Sequence, residues 1–430
     1  MLRFVYAILT YLITPLLLVH LYWRSLANPL YRQRIRERFG YLDRRHLDQS
    51  MARPSIWVHA VSVGEVMAAA ALVRALQERY PDRELVLTTM TPTGSQRAQE
   101  LFGDSVVHSY VPYDLARAVR RFFNRANPEL VIIVETEIWP NLFRECGVRK
   151  IPLVIASARV SPRSVARYRR VVSLFSETLS HGIVIAAQSE TDAERFASLG
   201  ANPQRIHVTG NIKFDFRVQS DVAGQGAAFR AEQAAARPVW IAASTHGDEE
   251  QDVLAAHSEV LRAVPNALLL LVPRHPERFQ LVAGLIDKCG LNHVTRSSGA
   301  ISTAETQVFL GDSMGELMML YAASDVAFVG GSLVPIGGHN LLEPAALGLP
   351  VLTGPNTYNA PDIARLLIED GSTQVINDAT ELATQVVGLM RDSSERERRG
   401  SAGRRAVENN RGTLERVLEL IEPLLAPASD

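Results

Sequence analysis

A chain of 430 residues is too long for one ordinary core and suits two, and its 47% hydrophobic and 21% charged residues exclude a disordered chain and a multi-spanning membrane protein. The formal charge of −1 hides an asymmetry: residues 1–50 carry eight Arg against three acids, leaving 37 basic against 43 acidic residues beyond them, which argues against nucleic acid as a partner. Cys146 and Cys289 lie far apart with no CxxC spacing, so the sequence offers no metal knuckle, redox pair or disulfide scaffold, and a reducing compartment suits it.

In chain order, the first element is an apolar run from Phe4 to Leu21. As a helix it would span about 27 Å, nearly a bilayer core. Arg32, Arg34, Arg36, Arg38, Arg44 and Arg45 follow it, and the positive-inside rule then places the rest of the chain in the cytoplasm. A membrane anchor over 1–23 and a basic juxtamembrane segment over 24–53 are predicted. A cleaved signal peptide fits less well, because the run is longer than the usual h-region and the heavier charge lies behind it. Pro15 and His20 keep an interfacial helix open.

From Pro54 the texture becomes βαβ. SIWVHA (55–60), ELVLTT (84–89), ELVIIV (129–134), IPLVIA (151–156) and GIVIAA (182–187) lack polar alternation and read as buried parallel strands of one doubly wound domain, 54–216. Residues 217–237, rich in Ala, Gln and Gly, read as a linker with room for one helical turn. A second α/β domain over 238–430 is built on PVWIAA (238–243), ALLLLV (267–272), DVAFVG (325–330) and PVLTG (350–354), and the helical stretch after Ser393 can pack back across the first domain.

Carboxylates stand at strand ends, where α/β sheets bind ligands. Glu65, in HAVSVGE, lies at a strand-to-helix turn; it is also placed to favour the helix dipole. Glu135 and Glu137 follow ELVIIV, and one of them can cap the helix starting near Pro140. Lys213, in GNIKFD, is one of only three lysines and suits a phosphate or a developing charge, or simply solvent. In the second domain, Ser244 to Glu250 reads as helix capping. The Pro273-Arg274-His275-Pro276-Glu277-Arg278 cluster offers an arginine clamp for an anion. The loop Asp312-Ser313-Met314-Gly315-Glu316 opens a helix whose N–H groups can face a nucleotide or be capped by Asp312. The most specific stretch runs from Gly330-Gly331-Ser332 through Gly337-Gly338-His339-Asn340-Leu341-Leu342-Glu343-Pro344. Its glycines let backbone N–H groups approach a phosphate, and Glu343 is placed for ribose hydroxyls.

Taken together, HAVSVGE, ETEIWPN, GNIKFD, PRHPERF, GDSMGEL and GGHNLLEPA resemble the Kdo transferases, which move 3-deoxy-D-manno-octulosonic acid (Kdo) from CMP-Kdo to the lipid A precursor, lipid IVA. The resemblance covers about residues 1–425 and implies an α/β GT-B architecture, two Rossmann-like doubly wound domains facing a crevice, with an N-terminal membrane-anchor helix. It implies an acceptor-binding first domain, a donor-binding second domain, contact with inner-membrane lipids, and no cofactor or metal. Position by position it makes Glu65 the general base and Glu135 and Lys213 stabilisers of the transition state. Pro273, Arg274, Met314, Gly315, Glu316, Asn340, Leu341, Leu342 and Glu343 become the nucleotide contacts. Glycines followed by Glu recur across GT-B enzymes, so lipid A disaccharide synthase, UDP-sugar 2-epimerase and a tethered nucleotide-sugar binding module are the competing readings.

Overall fold

The computed structural model describes residues 2–42, 54–169, 179, 182–216 and 218–425. Among the described residues, fourteen strands form two all-parallel sheets of seven. The first holds β1 (Ser55–His59), β2 (Glu84–Thr89), β3 (Val107–Tyr110), β4 (Pro128–Val134), β5 (Leu153–Ala158), β6 (Ile183–Ala187) and β7 (Ile206–Val208), in the order 3-2-1-4-5-6-7. The second holds β8 (Val239–Thr245), β9 (Leu268–Pro273), β10 (His293–Thr295), β11 (Val308–Leu310), β12 (Val326–Val329), β13 (Val351–Thr353) and β14 (Thr373–Val375), in the order 10-11-9-8-12-13-14. Strand order reverses between β1 and β4 in one sheet and between β8 and β12 in the other. Each sheet therefore has a switch point where the following loops diverge and leave a cleft at the carboxyl edge.

Burial on both faces explains the continuous apolar runs. In β1, Trp57 packs on one face against Phe122 and Phe123, with ring centroids 4.5 and 5.4 Å away. Ile56 and Val58 pack on the other against Leu72 and Leu76 of the helix Val63–Arg79. In β8, Trp240 and Ala242 face one core while Val239, Ile241 and Ala243 face the other. Five strands were not expected from the sequence: β3, β7, β10, β11 and β14, each of three or four residues.

The chain divides into Met1–Phe216 with Asn410–Asp430, and Arg217–Asn409. This corrects the expected boundaries at three places. The stretch 217–237 was read as a linker, but it contains a helix, Val222–Gln233, because its small residues permit close packing: a Cβ on Gly226 would stand 2.5 Å from Ala322 Cβ. Arg217 itself lies outside the described residues. The last helix, Thr413–Leu425, packs back on the first unit as expected of the C-terminal stretch, so the second domain ends at Asn409 and not at 430: Val417, Leu418, Ile421 and Leu425 complete the core that holds Ile56 and Leu72. Residues 29–42 are docked, and not a separate basic segment: Arg38 is 2% exposed, stacks 4.2 Å over the Tyr110 ring and donates to Met90 O at 3.0 Å. Arg44 and Arg45 lie outside the described residues.

The N-terminal helix, Leu2–Ala27, is longer than the apolar run predicted, and its segment Tyr6–Leu26 is long and apolar enough to cross a membrane. Tyr6 near its start donates to Asp114 Oδ2 at 2.7 Å, and Leu21 near its end packs with Tyr113, Leu115 and Ala118. Leu12, Leu16, Val19, Tyr22 and Trp23 remain exposed.

Candidate active site

At the switch point of the first unit, β1 ends in His59 and the chain turns through Ser62 into the helix Val63–Arg79. His59 is fully buried with Nδ1 2.9 Å from Thr88 Oγ1, and burial lowers it to about 4; it is a neutral core residue. Glu65, in the first helical turn, folds back so that Oε2 accepts from Val61 N at 2.6 Å and Oε1 from Ser62 Oγ at 3.3 Å. Burial, then the negative charge of Glu135, raises Glu65 to about 7. Its role at the helix start and its perturbed acidity therefore coexist.

Glu135 follows β4 with φ +63°, a left-handed conformation that a residue with a Cβ adopts at a cost of about 1–3 kcal/mol. Its side chain meets Lys213, with Oε1 2.6 Å from Nζ, and both are about a quarter exposed. Burial foremost pushes Glu137 upward. Neither carboxylate caps the next helix, Pro140–Arg149. Asp114, from the loop after β3, accepts from Asn141 N and Leu142 N at 2.9 Å each.

Lys213 is held by a polar frame that sequence reading left without a role. Asn211 Oδ1 accepts from Lys213 N at 3.0 Å, Ser157 Oγ accepts from Ile212 N at 3.2 Å, and Gln188 Nε2 donates to Ser157 O at 2.9 Å. Asp215 secures the same turn to the last helix through Gly412 N at 2.6 Å and Leu414 N. The available signal was polar residues ending apolar strands, with Ser157 at φ +55°. Glu65, Glu135 and Lys213 thus come together, and a carboxylate near neutrality beside an ion pair is suited to general-base chemistry.

The second switch point differs from expectation. The N–H groups that open the glycine turn are not free for a phosphate, because the buried carboxylate of Glu249 accepts from Gly331 N at 2.7 Å, Ser332 N at 3.1 Å and Leu333 N at 3.0 Å. Glycine is required there for close approach: a Cβ on Gly330 would lie 2.7 Å from Glu249 Oε2 and 2.9 Å from Ser244 O. The stretch 244–250 is therefore more than a helix start, and Glu250 pairs with Arg278 through two contacts, at 3.0 and 2.5 Å.

Among the predicted nucleotide contacts, Pro273 ends β9 and Arg274 is exposed just beyond it. Glu343 is raised by burial, against Asn340 Nδ2, which donates to its Oε1 at 3.0 Å, and against the positive charge of Arg274. Arg274, Asn340 and Glu343 therefore share one neighbourhood. The Leu341 and Leu342 side chains are buried in the core, so only their backbone is placed for a ligand. Met314 is exposed and Gly315, at φ +88°, has open space where a Cβ would stand. Glu316 is engaged by Arg296, at 2.7–3.1 Å, which lowers it. Asp312 accepts from Ser297 N at 2.8 Å and does not cap the helix Leu317–Ala322. Three histidines with no role assigned from sequence stand nearby: His246 and His339 bring Nε2 atoms to 2.8 Å, and His275 meets His246 edge-on. Among the described residues no three His, Cys, Asp or Glu side chains converge to hold a metal ion.

Residues 33–216 match the family described as 3-Deoxy-D-manno-octulosonic-acid transferase (kdotransferase), and residues 251–406 match glycosyl transferases group 1. The chain is 45% identical to a 3-deoxy-D-manno-octulosonic acid transferase of Haemophilus influenzae over 98% of its own length and 99% of that protein's. It is 35% identical to one of Bordetella pertussis, over 86% and 87%. UDP-GlcNAc 2-epimerase from Neisseria meningitidis superposes with a TM-score of 0.56 at 14% identity, covering 86% of this chain and 100% of the other; that likeness is one of fold alone.

Proposed function

The chain belongs to the 3-deoxy-D-manno-octulosonic-acid transferase family of glycosyltransferases, and on that premise we propose that it transfers Kdo from CMP-Kdo to lipid IVA, with inversion, at the cytoplasmic face of the inner membrane. In this reading Glu65 removes the proton of the acceptor hydroxyl, while Glu135 and Lys213 stabilise the charge that develops as the sugar departs from phosphate. Arg274 and Pro273, the Met314–Glu316 loop and Asn340–Glu343 bind the nucleotide. Glu343 accepts ribose hydroxyls, and Leu341 and Leu342 contribute backbone only. The N-terminal helix, with Arg32 and Arg36 exposed behind it, keeps the enzyme where its lipid acceptor is.

The observation that carries the reading is the Glu65 carboxylate held near neutral pH beside the Glu135–Lys213 pair. A UDP-sugar 2-epimerase shares only the fold. Purified full-length protein incubated with labelled CMP-Kdo and lipid IVA is expected to give a product heavier by Kdo in mass spectrometry, and none with UDP-GlcNAc. Turnover of UDP-GlcNAc without Kdo transfer would overturn the assignment.

A further inference from the structure

The carboxyl ends of three strands bring three imidazoles to the second switch point: His246 after β8, His275 after β9, and His339 in the glycine turn after β12. The His246 and His339 rings are parallel to within 3° with centroids 5.0 Å and Nε2 atoms 2.8 Å apart, and the His275 ring lies across His246 at a centroid distance of 5.1 Å. At 2.8 Å the two nitrogens must share a proton, one ring donating and the other accepting. Room for the pair is made by Gly331, where a Cβ would stand 2.9 Å from the His339 ring and 3.4 Å from His246.

Among the groups facing the pair, Arg274, Arg278 and His275 come from the turn after β9, Arg278 paired with Glu250 and His275 4.0 Å from Glu277, while Glu249 is occupied by backbone N–H groups and Glu343 is held by Asn340. Burial and this surrounding positive charge lower His246, and lower His339 to about 4, so both rings are neutral in the free protein. Arriving anionic oxygen atoms would offset the charge of Arg274 and favour a second proton on the pair.

We propose that the His246–His339 pair receives the donor phosphate and supplies the proton that this phosphate takes up as its bond to the sugar breaks. The proposal rests on the CMP-Kdo reading above. The donor's phosphodiester carries one negative charge, besides that of the Kdo carboxylate. Donor binding draws one proton from solvent onto the pair. The bond from the anomeric carbon to phosphate oxygen breaks with its electrons on that oxygen, which receives the histidine proton. The acceptor oxygen bonds to the anomeric carbon and its proton passes to Glu65. CMP leaves singly protonated on phosphate, Glu65 releases its proton to solvent, and the pair returns to its one shared proton.

Calorimetry of the full-length protein with cytidine 5′-methylphosphate, a diester with no second phosphate proton, in two buffers of different ionisation enthalpy at pH 7.5 tests the first step. Uptake of about one proton per ligand is expected, with none for His339→Gln or for cytidine. Both His339→Gln and His246→Gln should lose roughly 10²–10⁴ in kcat and the alkaline limb of the rate profile. His246→Asn, with unchanged melting temperature, guards against misfolding. Enzyme that turns over CMP-Kdo but binds the diester without proton uptake, or variants within threefold of wild-type kcat, would sink the histidine proposal alone. Wild-type protein that neither binds the diester nor turns over CMP-Kdo would sink the donor reading with it.

Discussion

Glu65 shows how a catalytic assignment carries a stability consequence. Its carboxyl is raised from 4.5 to about 7 in the folded chain, so the native state holds a proton that the unfolded chain releases. Below pH 4.5 both states are protonated and the residue is neutral to stability; as pH rises to about 7 stability is lost, by about 3 kcal/mol. Glu65→Gln mimics the protonated acid, so denaturant titrations at pH 8 should show it more stable than wild type, and at pH 4 equal to it. The same substitution should lower kcat by about 10²–10⁴ with CMP affinity unchanged. In wild type the acid limb of kcat/KM should fall near pH 7, and Glu135→Gln, which removes a repelling charge, should move it lower. Glu65 and Glu135 were legible because carboxylates follow their strands directly in the chain. Glu249 was not, because its partner Gly331 lies 82 residues away and nothing local distinguishes it from an ordinary first-turn acid.

At the scale of elements, the helix Pro140–Arg149 begins on Trp139, which provides no cap, and depends on Asp114. Removing that carboxylate leaves two N–H groups and the Tyr6 hydroxyl unpaired. Asp114→Ala is therefore expected to cost about 1–3 kcal/mol in urea denaturation. It should also reduce kcat, because the segment from Glu135 to Trp139 is held at that end by the helix. The longer strands were readable from their apolar runs, all of which proved to lie inside the sheets. β7 was not: it is three residues at a sheet edge, with Val208 42% exposed, and edge burial leaves little composition to detect. The helix Val222–Gln233 was misread for the opposite reason. Its glycines and scarcity of large apolar residues signal a loop locally, yet small side chains are what its contact with Ala322 requires.

At the scale of the whole chain, Arg217–Asn409 is one continuous unit while the first is assembled from both ends. Residues 217–409 expressed alone should give a cooperative melt and bind CMP. Residues 1–216 alone should remain soluble only with 410–430 supplied, which chemical-shift dispersion in NMR spectra would reveal. Deleting residues 1–23 removes Tyr6 and Leu21 from the first unit, so the remainder should fold with about 1–3 kcal/mol less stability. It should retain activity on detergent-dispersed acceptor and lose it on vesicles. Equal activity on vesicles would show that the helix is no anchor. The return of the last helix also bears on synthesis. At about 5–20 residues per second, the ribosome needs roughly 10–40 s to pass from Phe216 to Asn410, and Ile56, Leu72 and Ile212 wait through that interval for Val417, Leu418 and Ile421. The half made first is finished after the other, and a nascent chain of this protein holds an open apolar seam until the codons of the helix Thr413–Leu425 are read.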